Sequence, residues 1–600
     1  MTEIDQHPPS ETAGPLVLSV RNLSVTLHRE GQANPALHGI TLDIRLGEIV
    51  ALVGESGSGK STLGLAIQGL LPVESRPTVH GTIQVAGTEV VGAAPATLRR
   101  LRREKLGAIF QDPMTSLNPT MRIERQLREN IQDDTPPAVW LERVGLVNAT
   151  ARLRAFPHQL SGGERQRVMI AMAMAGHPAL VIADEPTTAL DVTVQAQILR
   201  LIRRLCRQAE TTFLFVTHDL AVAATVADRI VVLYAGQIVE QGPIDPVMAQ
   251  PAHPYTAALL EARFGLNIDK SRQLPTLAGE PPTPEHWPSG CTFAPRCLIA
   301  VEACQAAPPP LLSVTQHPGV AACFRADQVE PNLWARVSDR WPGHSRPAEQ
   351  PLLTLSRIWK LYKVRRRSWW GQHDTIQALC GVDLQMAAGE AVALVGESGS
   401  GKSTLLRVAA GLIKPTEGQV EFAAPERPQM VYQDAAASLT PWLTVQELIG
   451  ERLRPQRLSA TARHEQVAAA LELVGLSAQL ASARPGQLSG GQAQRVAIAR
   501  AVVIPPRLLL CDEPVSALDV SLAAAILNLL GALRRQLGMA ILFVTHDLAA
   551  ARFVADRIVV MKAGRVVESG SAEAIAHAPQ HAYTQELLAS MPDNLRGVLT

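Results

Sequence analysis

The feature that most limits what this chain can fold into is that its most specific string is written twice. VGESGSGKSTL occupies residues 53–63 and again residues 395–405. The lysines of the two copies lie 342 residues apart. The spacing falls to 322 at a Gln-Asp pair (Gln111, Gln433). It settles at 328 for LSGG, DEP, FVTHDL and a closing His-x-Tyr-Thr motif (His253, His581). The second copy therefore lacks 20 residues between string and Gln, then gains 6 before LSGG. From LSGG onward the copies are collinear, which means two homologous units in tandem and not a short-period solenoid.

Each string follows an apolar run, residues 49–53 or 391–395, that reads as a buried strand, and each precedes a helix-like segment. Gly54, Glu55, Ser56, Gly57, Ser58, Gly59, Lys60 and Ser61 match the phosphate-binding pattern GxxxxGK[ST]. Gly396, Glu397, Ser398, Gly399, Ser400, Gly401, Lys402 and Ser403 match it again. Such glycines let backbone N–H groups wrap phosphates, and the helix N-terminus adds a positive dipole end. Lys60 and Lys402 would reach the β- and γ-phosphates, and Ser61 and Ser403 would ligate Mg²⁺. Two further apolar strands end in carboxylate pairs, Asp184-Glu185 and Asp512-Glu513. The first acid of each suits a Mg²⁺ partner held through water, and the second suits orienting or deprotonating an attacking water. His218 and His546 close apolar strands downstream, where a γ-phosphate sensor belongs. Ser161, Gly162 and Gly163, like Ser489, Gly490 and Gly491, read locally as a helix N-cap.

With 46% hydrophobic and 18% charged residues the chain is globular. A net charge of +1 excludes a polycationic nucleic-acid coat. No uncharged apolar run approaches the roughly 18 residues of a membrane span; the longest, at 221–239, is broken by Asp228 and Arg229. The first 15 residues carry acids and no apolar h-region, so a signal peptide is not expected. Residues 243–350 hold 17 of the 43 prolines, which disfavours long helices and central strands and reads as a tail plus a linker. The basic-aromatic stretch at 363–370 reads as a solvated loop near a membrane, not as a nucleic-acid site.

The ordered set of P-loop, Gln, LSGG, acid pair, TALD/SALD loop and His resembles the ATP-binding-cassette (ABC) ATPases. The resemblance implies an α/β fold of two tandem P-loop NTPase cassettes. Each would have a RecA-like core, an antiparallel β subdomain and a helical subdomain. It implies two ATP molecules held between cassettes packed head to tail. Lys60, Thr62, Gln111, Asp184, Glu185 and His218 would work with Ser489, Gly490 and Gly491. Lys402, Thr404, Gln433, Asp512, Glu513 and His546 would work with Ser161, Gly162 and Gly163. Gln111 and Gln433 would join Ser61, Asp184, Ser403 and Asp512 around Mg²⁺, and Asp191 and Asp519 would cross between sites. Tyr362 matches the aromatic on which adenine stacks. The first copy has Leu27 there, with His28 beside it, so its site is expected to bind nucleotide more weakly, stacking being worth about 1–3 kcal/mol.

FQDPMTSLNPTM (110–121) and GEPPTPEHWPSGCTFAPRC (279–297) resemble cassettes of dipeptide, oligopeptide and nickel importers. This implies an ATPase motor for uptake of peptides or a related solute, peripheral on the cytoplasmic face of a bacterial inner membrane. Two transmembrane permease subunits and an extracytoplasmic solute-binding protein would be its partners, with no nucleic acid. The second copy departs at YQDAAASLTPW, which leaves its permease contact and the solute open. The alternative is a tandem ATPase acting on ribosomes or DNA, which a Pro-rich, Cys-bearing linker disfavours. The spacing of Cys291, Cys297, Cys304 and Cys323 does not match paired zinc ligands. The resemblance implies a [4Fe–4S] cluster on these four thiolates, with zinc or no ligand as the alternatives. Cys206, Cys380 and Cys511 read as packing residues.

The expected division is a flexible N-terminus (1–17), a first nucleotide-binding domain (18–245) and its four-Cys extension (246–330). A linker (331–351), a second nucleotide-binding domain (352–572) and a short tail (573–600) complete it. Both copies keep the lysine, the second acid and the histidine, so both sites should hydrolyse ATP. Vanadate trapping should hold about two nucleotides per chain, and a stoichiometry near one would contradict this.

Overall fold

The computed structural model describes residues 14–29, 32–187, 190–283, 287–315, 317–336, 338–341, 350–365, 373–516 and 518–592. Most of the expected N-terminal segment, the middle of the linker, most of the basic-aromatic stretch and the end of the tail lie outside the described residues.

The strand Ile49–Val53 carries no polar side chain and is buried throughout. Alternation sends Ile49, Ala51 and Val53 into one apolar cluster and Val50 and Leu52 into another on the opposite face. A strand covered on both faces has to be central in a parallel sheet. It pairs in parallel with Thr212–Thr217 on one side and Arg229–Tyr234 on the other. Leu180–Asp184 and then Leu106–Ile109 extend the parallel sheet, and Gln237–Pro243 closes the other side antiparallel. The second copy repeats the order with Gln429–Val431, Leu508–Asp512, Ala540–Thr545, Ala391–Val395, Arg557–Lys562 and antiparallel Arg565–Ser571. The strands ending in the acid pair, the histidine and the P-loop are thus adjacent. Motifs over a hundred residues apart emerge side by side at the carboxyl edge, where open α/β sheets bind ligands.

Each core carries an antiparallel sheet. In the first it is Leu16–Arg29, Gln32–Arg45, Thr78–Val85 and Thr88–Glu89; in the second, Pro351–Arg365, His373–Ala387 and Glu417–Phe422. The 20-residue deficit falls here: the second copy lacks counterparts of Thr88–Glu89 and of the helix Pro95–Glu104. The six-residue gain falls among the helices before LSGG. There the seven-residue helix Pro137–Arg143 is answered by the 14-residue helix Ala460–Leu473, while Ala149–Leu153 is answered by the short helical turn Ala478–Ser482.

The Pro-rich region is more than a tether. Val320–Ala321 pairs with Gln237–Pro243, and Leu312–Ser313 pairs in turn with it, adding two strands to the first core sheet. Phe293 and Trp334 are buried in the first cassette's core. Leu274 is buried instead in the core of the second. Its backbone N–H donates to the Asn528 side chain and its carbonyl accepts from it, both at 2.9 Å. Lys270 donates to the Ala555 carbonyl and Arg552 to that of Ile268. The Arg535 guanidinium lies 4.2 Å over the Trp341 ring. The segment therefore straps the two cassettes together. Asn528→Ala would leave two half-buried backbone groups of Leu274 unpaired, at a cost of about 1–3 kcal/mol. Limited proteolysis should then cut within 264–274 several-fold faster while the cassettes themselves stay resistant.

Candidate functional site

The P-loops are shaped by backbone crowding. A Cβ on Gly54 would sit 2.1 Å from the Leu233 carbonyl oxygen, and Gly59 adopts φ +103° against the Ala36 carbonyl. Each loop folds around its lysine. Lys60 Nζ donates to the carbonyls of Gly54 (2.7 Å) and Glu55 (2.8 Å). Lys402 does the same with Gly396 (2.7 Å) and Glu397 (2.9 Å). Burial pulls both ammonium groups below their ordinary value, with nearby carboxylates opposing it. Ser58 and Ser400 bury their hydroxyls inside the loops without a partner.

Two clefts result. One, of about 410 Å³, brings Ser56, Gly57, Ser58, Gly59, Lys60, Ser61 and Thr62 together with Gln111, Glu185 and His218. The other, of about 380 Å³, gathers Ser398, Gly399, Gly401, Lys402, Ser403, Thr404, Gln433, Glu513 and His546. Glu185 and Glu513 both stand at φ +46°, a left-handed conformation that glutamate rarely adopts. Their N–H groups bond the histidine strand, at Val216 (2.9 Å) and Val544 (3.0 Å). The twist sets each carboxylate between a glutamine and a histidine. Gln111 Nε2 donates to Glu185 at 3.0 Å, and His218 Nδ1 lies 3.0 Å from the other oxygen. Gln433 donates to Glu513 at 3.2 Å, and His546 Nδ1 is 3.3 Å away. Burial pulls both imidazoles down, but the bond and charge of the paired glutamate outweigh it and leave them above the ordinary value.

The Mg²⁺ expectation fits the acids better than the glutamines. Burial raises the carboxyls of Asp184 and Asp512, and each is hydrogen-bonded by its P-loop serine, Ser61 or Ser403, the latter at 2.8 Å. Asp184 Oδ1 is buried without a hydrogen-bond partner. An orphaned carboxylate oxygen beside a serine hydroxyl is suitable for a hard divalent cation. Gln111 and Gln433, expected on the metal, donate Nε2 to Glu185 and Glu513, and it is the amide oxygen of each that would face a cation.

The cassettes meet head to tail through their aspartate loops. Asp519 caps its own helix, Val520–Leu537, by accepting from the Leu522 N–H, and its other oxygen accepts from the Ser56 N–H at 3.2 Å. Leu190 and Asp191 line the second cleft in return. The signature residues behave as N-caps. Ser161 pairs with Glu164 and Ser489 with Gln492 in reciprocal capping boxes. Ser161, Gly162, Gly163, Ser489, Gly490 and Gly491 line neither cleft, contrary to expectation. On one side Glu280 of the extension engages the signature, its carboxylate accepting from Ser489 (3.4 Å) and Gln492 (3.1 Å). Tyr362 does not line the second cleft but is opposite Ile376, which does. Leu27 lines the first, accompanied by Trp287 of the extension.

Sequence reasoning missed the support behind the loops. The Tyr255 hydroxyl accepts from the Glu55 N–H (2.7 Å), and that of Tyr583 accepts from the Glu397 N–H (3.0 Å). The repeated His-x-Tyr-Thr motif was the available signal. In the first copy alone, the Glu55 carboxylate is buried against Arg296, at 2.7 and 3.2 Å, and accepts from Ser521 of the second cassette. Nothing in the sequence marks Arg296. Its neighbour Cys297 joins Cys291, Cys304 and Cys323 around one small apolar cavity, and all seven cysteines are free. Burial pushes the Cys297 thiol up to about 11 and that of Cys323 up to about 12. Among the described residues no group of three or more His, Cys, Asp or Glu is set to hold a metal ion. The four thiols are gathered but not drawn into a ligating set.

Comparison with known proteins decides the family. Residues 37–188 and 379–516 match the ABC transporter family, and residues 239–304 and 567–597 match the oligopeptide/dipeptide transporter C-terminal region. The chain is 40% identical to the oligopeptide transport ATP-binding protein OppD of Mycobacterium tuberculosis, over 96% of this chain and 98% of that one. It belongs to the ATP-binding proteins of ABC transporters. It is also 38% identical to the peptidoglycan transport ATP-binding protein YejF of Agrobacterium fabrum, covering 97% of both chains. To the glutathione import ATP-binding protein GsiA of Salmonella choleraesuis it is 36% identical, over 96% of this chain and 89% of that one. An archaeal ribosome recycling factor, solved with a ribosomal stalk protein, shares the fold alone. Its TM-score is 0.53 at 20% identity, covering 91% of this chain and 90% of that one. ATP binding and hydrolysis are therefore this chain's chemistry. Among the described residues no helix is long and apolar enough to cross a membrane.

Three outcomes follow from the geometry. Arg296→Ala would leave Glu55 buried and unpaired, costing about 3–5 kcal/mol at the first P-loop by thermal unfolding. Glu397→Gln should change little, since no ion pair of Glu397 is found among the described residues. A histidine held above 6.5 in the folded state stabilises it below pH 6.5, and that contribution is lost as pH rises through the raised value. The unfolding-temperature gap between the parent and a His218→Gln/His546→Gln variant should therefore shrink from about pH 6 to about pH 9.

Proposed function

We propose that the chain is the ATP-hydrolysing motor of a bacterial importer for peptides or a related small solute such as glutathione. The observation that carries this is one chain holding two P-loop clefts, each with its lysine, glutamine, glutamate and histidine, together with a segment matching the oligopeptide/dipeptide transporter C-terminal region. Names of relatives that specify oligopeptide transport and glutathione import support the solute class.

In the proposed mechanism the P-loop amides with Lys60 and Lys402 cradle the ATP phosphates. Glu185 and Glu513 orient the attacking water and accept its proton, while His218 and His546 hold those carboxylates in place. Mg²⁺, held by Ser61 with Asp184 and by Ser403 with Asp512, would neutralise developing phosphate charge. Asp519 and Asp191 report each cleft to the opposite cassette. Closure and reopening of the cassettes would drive two membrane permeases supplied by a solute-binding protein, with this chain peripheral on the cytoplasmic face. Exposed Phe110 and Met114 in the first copy, and Tyr432 and Trp442 in the second, support permease docking next to the glutamine loops. The four-cysteine cavity is proposed to seat a [4Fe–4S] cluster, for which the shared thiol-lined cavity is the support. Iron and sulfide content, and a visible charge-transfer band lost in Cys297→Ser, test it.

Glu185→Gln with Glu513→Gln should lower ATP hydrolysis at least about 100-fold while ATP still binds. Each single change should leave partial activity. Purification from the native membrane should bring down two hydrophobic permeases; recovery with ribosomes or DNA would reject the importer reading.

A further inference from the structure

The first ATP cleft has a wall that the second lacks. Pro281, Pro282 and Trp287, all from the extension, line it beside the P-loop. Among the described residues none of the extension lines the second cleft. The ring of Trp287 closes over the loop that follows Tyr234: its Cη2 atom lies 3.1 Å from where a Cβ on Gly236 would stand. Gly236 itself donates its N–H to the Ser58 carbonyl of the P-loop at 2.9 Å. Trp287 is therefore within one residue's width of the phosphate cradle and only half-buried. The other ring of the cleft wall, Tyr234, is 0% exposed and engaged by Tyr255, Phe293 and Arg296. Leu27, on the strand side, offers no π face.

We infer that Trp287 is the base platform of the first ATP site, delivered from the extension in place of a ring on the strand. The placement rests on reading this cleft as an ATP site. A purine needs a flat polarizable face to leave water, and an indole is the largest one a side chain can offer. Two prolines with fixed φ lead into the segment, and Glu280 anchors it on the second cassette. The platform is thus mounted across the cassette boundary, and the first site takes its base contact from a different part of the chain than the second.

The test is equilibrium binding, in the full chain with Lys402→Ala silencing the second cleft. Titrations use Mg-ATP and inorganic triphosphate, the latter having phosphates but no base. Trp287→Leu should weaken ATP binding roughly tenfold or more and leave triphosphate binding unchanged, while Trp287→Phe recovers most of the loss. Unchanged or tighter ATP binding in Trp287→Leu would overturn the inference, as would triphosphate affinity falling in step or a Phe variant as weak as Leu. Lys60→Ala on the same background separates the two readings. If it leaves ATP binding intact, the cleft is not an ATP site; if it abolishes binding while Trp287→Leu does nothing, only the platform is wrong.

Discussion

The buried carboxylate of Glu55 is the interaction on which the asymmetry of the molecule depends. A P-loop residue sealed from water at 3% exposure must find a cation and donors, or it cannot remain charged. Arg296 supplies the charge from the extension, Tyr255 holds the Glu55 backbone, and Ser521 donates from the second cassette. One carboxylate thereby joins the P-loop, the extension and the second cassette. The counterpart, Glu397, keeps the backbone contacts to its tyrosine and its P-loop lysine, and among the described residues no arginine pairs with its carboxylate. The two copies share a catalytic design and differ in what braces it.

Catalytic chemistry was legible in the sequence because its residues occur in contiguous strings whose spacing is set by one strand, one turn and one helix. The sheet order was legible for a related reason, since fully apolar runs such as Ile49–Val53 can only be central strands. What was not legible rests on single residues with no pattern around them. Arg296, Asn528 and Glu280 act through contacts 241, 254 and 209 residues away in sequence and Trp287 through one to Gly236, and periodicity carries no trace of these. Proline density correctly signalled the lack of long helices in the extension, but lack of regular structure was taken for lack of contact. The backbone twist at Glu185 and Glu513, which turns the carboxylates toward the glutamines, likewise leaves no mark in composition.

The extension deserves to be seen as part of the first ATP cleft. It contributes a wall, an arginine behind the P-loop, a carboxylate on the opposing signature helix and two strands to the core sheet. The second cassette carries a short tail with the same tyrosine and, among the described residues, none of the rest. Leu27 on the strand and Trp287 from outside it line that cleft together.

The strap also changes what opening can mean. Leu274 fastened to Asn528 and Glu280 resting on the second signature helix keep the cassettes near one another when the clefts part. Separation is then a hinge within one molecule, so its equilibrium is independent of protein concentration and survives dilution that would scatter two unlinked subunits. Stoichiometry is fixed at translation, and neither cassette can pair with a copy of itself without breaking the strap first.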